Sequence, residues 1–139
     1  MTRQELDVSW SGRHAIVTMP EEIDLGNADE VGEQLTALAG QSPDLITADL
    51  TGTAFCDSAG VYVLTRAHEL VTANGGELRL ALGDSPVARI FELTGLDKIM
   101  PVFRDVQQSR DTPRAEPGSG AGPGARPGAR PGPEQAPGG

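Results

Sequence analysis

Cysteine is almost missing from this chain. Cys56 is the single one among 139 residues, so no intramolecular disulfide can form and a disulfide-stapled secreted scaffold is excluded. Histidine is scarce as well. His14 and His68 stand far apart with no partner at metal-ligand spacing, which leaves no basis for a metal site. No long apolar run and no signal-peptide pattern occurs, and the chain reads as cytoplasmic. Positive charge is in deficit: 11 Lys and Arg face 20 Asp and Glu, a formal charge of −9. Without a basic footprint, binding to nucleic acid or to an anionic membrane is disfavoured.

Large aliphatic side chains are missing from one region. From Thr112 to Gly139 the chain is almost wholly Pro, Gly, Ala and Arg, and nothing aliphatic exceeds Ala. Such a stretch cannot bury enough surface to offset its ordering entropy. It is expected to be a disordered tail over 111–139, with the folded domain over 4–110. The repeat from Gly124 to Gly132 lacks a collagen register; its two Arg could bind an acidic surface, but a linker or a drifted terminus is the simpler reading. Arg114, Arg126 and Arg130 balance Asp111, Glu116 and Glu134, so the whole acidic excess belongs to the domain.

Within the domain the apolar spacing predicts an ordered series of elements. Leu6, Val8 and Trp10 alternate with Asp7, Ser9 and Ser11, as in a half-buried strand. A turn at Ser11-Gly12 and a strand over His14–Met19 complete a hairpin. His14, near the turn, reads as a surface residue. Asn27 is expected to cap a helix with Glu30 in a capping box, followed by Ala28, Val31, Leu35 and Leu38 at helical spacing. A central strand spans Asp44–Leu50. Asp57 opens the next helix, which has Val63, Leu64, Ala67, Leu70 and Val71 on one side. Leu78, Leu80 and Leu82 alternate with Arg79 and Ala81 in a further strand. Asp84-Ser85-Pro86 starts a helix with Val87, Ile90, Phe91 and Leu93 inward, stopped by Gly95. Ile99–Phe103 reads as an edge strand weakened by Pro101, and Arg104–Arg110 as a polar closing helix. The result is an α/β fold: an N-terminal hairpin, then alternating αβ units forming a mixed, largely parallel sheet.

One stretch stands out, Asp49-Leu50-Thr51-Gly52-Thr53-Ala54-Phe55-Cys56-Asp57-Ser58-Ala59-Gly60. It runs from the end of the central strand through a loop into a helix. Asp57 is a good N-cap, because its carboxylate can accept from free N–H groups of the first turn. Ser58 falls at the first helical position, where the helix dipole favours negative charge. On local features alone, Asp57 is a cap and Ser58 a second polar residue at a helix start. Catalytic readings do not hold. Cys56-Asp57-Ser58-Ala59-Gly60 has Cys where a nucleophile elbow needs Gly, and His68 lies along the same helix about 15 Å away by helical rise. There is no phosphate-loop motif and no acidic pair suited to a receiver domain. The chain is expected not to be an enzyme and to need no cofactor.

The stretch resembles the signature of STAS domains, specifically the bacterial anti-sigma factor antagonists. Two further pieces match in order. Glu22-Ile23-Asp24 resembles the segment after the hairpin, and Ser85-Pro86-Val87-Ala88-Arg89-Ile90-Phe91-Glu92-Leu93-Thr94-Gly95-Leu96 the third helix with its Thr-Gly-Leu ending. The resemblance covers about residues 5 to 108. Ala59 replaces a second Ser seen in many relatives, and Glu22 a frequent Gly.

The resemblance implies a STAS fold and a partner-switching protein. Unmodified, it would bind an anti-sigma factor with serine kinase activity and so free a sigma factor. Phosphorylation of Ser58 would end the complex, and a serine phosphatase would reset it. The interface implied includes Asp24, Thr53, Asp57, Ser58, Ala59, Gly60 and Tyr62. Two other roles stay open: a STAS subunit of a lipid-transport or transporter complex, and a stressosome-type scaffold. The second normally carries an added N-terminal sensor domain, and none fits before Leu6. Nothing in the sequence sets the oligomeric state.

Overall fold

The computed structural model describes residues 5–114. Strands β1 (Asp7–Ser11) and β2 (His14–Thr18) form the expected hairpin. Gly12, at φ 61°, takes the left-handed position that a two-residue loop requires. Next come β3 (Glu22–Ile23), α1 (Ala28–Ala39), β4 (Leu45–Asp49), β5 (Phe55–Cys56) and α2 (Ser58–Ala73). The chain continues through β6 (Glu77–Ala81), α3 (Val87–Thr94), a 3-10 turn at Leu96–Lys98, β7 (Val102–Phe103) and α4 (Val106–Asp111). The main sheet has the order β1-β2-β4-β6-β7, antiparallel only at β1–β2 and parallel elsewhere.

The two faces of this sheet differ. One carries Ala15, Val17, Ile46, Ala48, Leu78 and Leu80, packed with Val31, Leu35, Leu64 and Phe91 from the helices into a continuous apolar core. Burying each Leu, Ile or Phe stabilises the domain by roughly 1.5–3 kcal/mol. The other face carries His14, Thr47 and Arg79 and is covered by α4. Here His14 Nε2 bonds to the Thr47 hydroxyl at 2.7 Å, and that hydroxyl to Ser109 Oγ at 2.7 Å. His14 is thus tied into a buried polar chain, correcting its reading as a surface residue.

Arg79, 1% exposed, is the largest fully buried side chain. Its Nη1 donates to the carbonyls of Ser109 (2.6 Å) and Thr112 (2.7 Å), Nη2 to that of Pro113 (3.1 Å), and Nε to Glu77 Oε2 (2.9 Å). The guanidinium also lies 4.9 Å from the Phe103 ring centroid, in cation–π contact. Thr112 and Pro113 are thereby held against the sheet, and Arg114 Nη2 donates to the Gly75 carbonyl at 2.6 Å. The remainder of the tail, 115–139, lies outside the described residues.

Several expectations need correcting. The first strand is not half-buried: all five residues are exposed, because β1 is an edge strand that α1 covers poorly. Asn27 precedes α1 but its side chain makes no cap bond. Its amide accepts from Asp24 N–H and donates to the Glu22 carbonyl, so the capping box does not form. Leu93 faces solvent at 73% exposure, since the short α3 buries a stripe through Val87 and Phe91 that excludes it. The last strand shrinks to Val102–Phe103, as the 3-10 turn takes up the residues before it. The two-residue strands β3 and β5, paired in parallel outside the main sheet, have no counterpart in the sequence reading.

Candidate functional site

The β3–β5 pair builds the site. Its register, Glu22↔Phe55 and Ile23↔Cys56, places the loop after β3 beside the start of α2. Gly60 allows a close fit: a Cβ there would stand 2.5 Å from Cys56 Sγ and 2.9 Å from Ile23 Cγ2. Any side chain would lever the first turn of α2 off the pair. Gly60 is therefore buried, and of the expected interface it is a spacer rather than a contact surface.

Asp57 is the hub. As expected it caps α2: Oδ1 accepts from the N–H groups of Ala59 at 2.9 Å and Gly60 at 3.2 Å. Its Oδ2 also accepts from the N–H of Leu25 at 3.2 Å, a bond the sequence did not suggest. The same carboxylate thus fixes the mouth of α2 and ties it to the turn Asp24–Asn27. Asp24 shapes that turn, its Oδ1 accepting from Gly26 N–H at 2.9 Å while its carbonyl takes the N–H groups of Asn27 and Ala28.

Ser58 is the first residue of α2 and is exposed. Among the described residues no protein group hydrogen-bonds its hydroxyl. Ala59 is half-buried beside it, and Tyr62, one turn on, is 62% exposed. Thr53 differs from this set. It is 1% exposed, its hydroxyl donating to the Pro20 carbonyl at 2.9 Å, so it braces the loop from inside and offers no contact surface. Asp24, Asp57, Ser58, Ala59 and Tyr62 share one corner of the molecule with surface exposed.

That corner also exposes apolar groups. Leu25 is 82% exposed and Phe55 47%. Phe55 lies within the loop singled out in the sequence, whereas Leu25 was missed. An aliphatic residue in a Gly- and Asn-containing turn just before a helix was the available signal. Tyr62 sits at the rim of a cleft of about 180 Å³ between α1 and α2, lined also by Asp29, Gly32, Val63 and Arg66. Acidic groups border the other side, where Glu21 and Glu22 flank a shallow depression with Pro20 and Asn27.

Burial, and then the negative charge of Asp57, push the Cys56 thiol up to about 11, so it stays protonated and unreactive at neutral pH. Among the described residues no His, Cys, Asp and Glu group could hold a metal ion, and no helix is long and apolar enough to cross a membrane.

A family model described as the STAS domain matches residues 5–109. This chain belongs to the STAS-domain family. The STAS domain here is 32% identical over 89 residues to the anti-sigma F factor antagonist of Paenibacillus polymyxa, covering 63% of this chain and 76% of the relative. It is 31% identical over 97 residues to the anti-sigma-B factor antagonist of Bacillus subtilis (strain 168), covering 70% and 88%. The crystal structure of an anti-sigma factor antagonist from Mycobacterium paratuberculosis superposes with a TM-score of 0.71 at 23% identity, covering 77% of this chain and 91% of that one. The fold is the STAS fold: a mixed sheet with largely parallel strands and packed helices, as the sequence led one to expect.

Proposed function

We propose that this STAS protein is an anti-sigma factor antagonist that works by partner switching, acting in the cytoplasm and not as an enzyme. In its unmodified form it binds an anti-sigma factor that is also a serine kinase. That kinase phosphorylates Ser58, the complex ends, and a serine phosphatase restores the hydroxyl. The names of the relatives support the class of activity. The observation that carries the switch is the state of the α2 mouth: an exposed Ser58 beside a carboxylate that already occupies the Ala59 and Gly60 N–H groups.

The physical argument runs through those occupied donors. A helix N-terminus normally welcomes an anion. Here Asp57 has taken two of its donors, so a phosphate on Ser58 gains little locally. It adds roughly −1.5 to −2 charges at neutral pH next to Asp57 and the Asp24 turn. The charge then projects outward, against a partner surface matched to a neutral hydroxyl. No rearrangement of the fold is needed. The partner contacts are Asp24, Leu25, Phe55, Ser58 and Tyr62, with Asp57, Ala59 and Gly60 shaping the surface from below.

Incubating the purified protein with candidate anti-sigma kinases and ATP, followed by phosphosite mapping, tests this reading. The expected result is stoichiometric phosphate on Ser58 and none on Ser58→Ala. Phosphate elsewhere, or none with any candidate, would contradict it.

A further inference from the structure

The two edges of the main sheet are unequally protected. At one edge, β7 is two residues long and follows Pro101. A short strand beside a proline is a poor template for further pairing. At the other edge, β1 is five residues long and pairs with β2 through five consecutive residue pairs without a bulge. It contains no Lys and no Pro, and all five residues are exposed. Its outer row of backbone groups is open to a further strand. Val8 and Trp10, 42% and 41% exposed, lie on the side facing α1, where with Leu6, Ala37 and Leu38 they line a cleft of about 240 Å³.

We infer that β1 is a self-association edge, whose occupant is β1 of a second copy of this chain, paired antiparallel about a two-fold axis through Ser9. The sequence of the strand is self-complementary in that register. Residues equidistant from Ser9 face each other, so Val8 lies opposite Trp10 of the other copy, twice, on the apolar side. Aromatic–β-branched cross-strand pairs of this kind are favourable. Asp7 falls opposite Ser11 and so avoids a second acid. A shift of one residue would set Val8 and Trp10 on opposite faces from their partners' apolar side chains. The contact is isologous and closes, leaving no edge for a further copy. It lies on the main sheet, whereas the α2 mouth is built on the separate β3–β5 pair, and it does not depend on the proposed switch. Because each copy carries a formal charge of −9, association should tighten as salt screens their repulsion.

The register can be tested by charge exchange at its centre. Ser9→Lys places two ammonium groups face to face, and Ser9→Glu two carboxylates, and like charges directly opposite destabilise pairing. In sedimentation equilibrium of the full chain from micromolar to near-millimolar concentration, the wild type should dimerise. Each variant alone should dimerise roughly tenfold more weakly or worse, and an equimolar mixture should regain wild-type affinity. Trp10 is the single tryptophan, so its emission should shift to the blue as the wild type associates. Val8→Lys, which leaves Ser9 intact, should also weaken the dimer, with circular dichroism confirming the fold. A wild type that stays monomeric would overturn the inference. So would dimers indifferent to all three substitutions, or a mixture that fails to recover.

Discussion

Asp57 gathers backbone N–H groups and Arg79 gathers backbone carbonyls, and the two sites show how one device serves two ends. Asp57 takes the N–H groups of Ala59, Gly60 and Leu25 at the surface, joining a helix start to a neighbouring turn. Arg79 takes the carbonyls of Ser109, Thr112 and Pro113 in the interior, fixing the C-terminal segment to the sheet. A surface hub leaves its neighbours accessible, and under the proposed switch a phosphate on Ser58 would be open to a partner. A buried hub must have every donor satisfied, because an unpaired buried charge is costly. Placement, rather than the bonding pattern, separates the exposed hub from the one that holds the interior together.

The contrast is sharpest in what each hub costs when removed. Arg79→Met should be the most damaging change, lowering stability by about 3 kcal/mol or more as three carbonyls and Glu77 lose a buried partner. The urea midpoint should fall at an unchanged slope, while Ser58 in the folded fraction should still be phosphorylated. Arg79→Lys should rescue little, since one ammonium cannot span the acceptors of the planar fork. Truncation after Arg110 comes next. A disordered tail over 111–139, as expected from the sequence, would make this cut cost nothing, but it removes the Thr112 and Pro113 carbonyls that Arg79 uses. A loss of about 1–2 kcal/mol is expected, and truncation after Arg114 should cost nothing measurable. Equal midpoints for both truncations would show that the Arg79 latch carries no energy.

These hubs differ in how far the sequence disclosed them. Asp57 and Ser58 form a local pattern: a capping residue, a hydroxyl and two small residues within four positions, so the helix start was legible. Arg79 acts on residues 30 to 34 positions ahead, and nothing near it signals this. Alternation with Leu78 and Leu80 put it on the other face of the strand. Whether that face meets solvent or α4 is a tertiary fact. The same limit hid His14, whose partner Thr47 belongs to another strand. The β3–β5 pair was too short to show a period, yet it aligns the site. The main element order was legible because long apolar stripes in α1, α2 and the central strands allow few alternatives. The edge strand was misjudged because alternation reports a preference for one face and not whether anything covers it.

Smaller effects should refine the comparison. Asp57→Ala removes a cap on an exposed corner and should cost about 1 kcal/mol of stability. Its effect on partner binding should be larger than that, since the Leu25 turn is released as well. A cost confined to stability, with calorimetric affinity intact, would separate the cap from the interface. The pH dependence is smaller still. Burial, then the positive charges of Arg79 and Arg110, hold His14 below the usual histidine range. The unfolded chain therefore binds the proton more readily, and stability should be lost as pH falls through about 6.5. Burial lowers His68 too, in spite of Glu69, and adds in the same direction. His14→Gln should thus reduce, without abolishing, the fall in urea midpoint between about pH 7 and about pH 5.5.

The central claim is that the charge on Ser58 alone decides whether the corner built by Asp57 accepts its partner. Isothermal calorimetry against the cognate anti-sigma kinase tests it most directly, with wild type, Ser58→Ala and stoichiometrically phosphorylated protein measured side by side. Wild type and Ser58→Ala should bind with similar affinity, and the phosphorylated form should bind far more weakly while its circular dichroism stays unchanged. Equal affinity of the phosphorylated and unmodified forms would contradict the account.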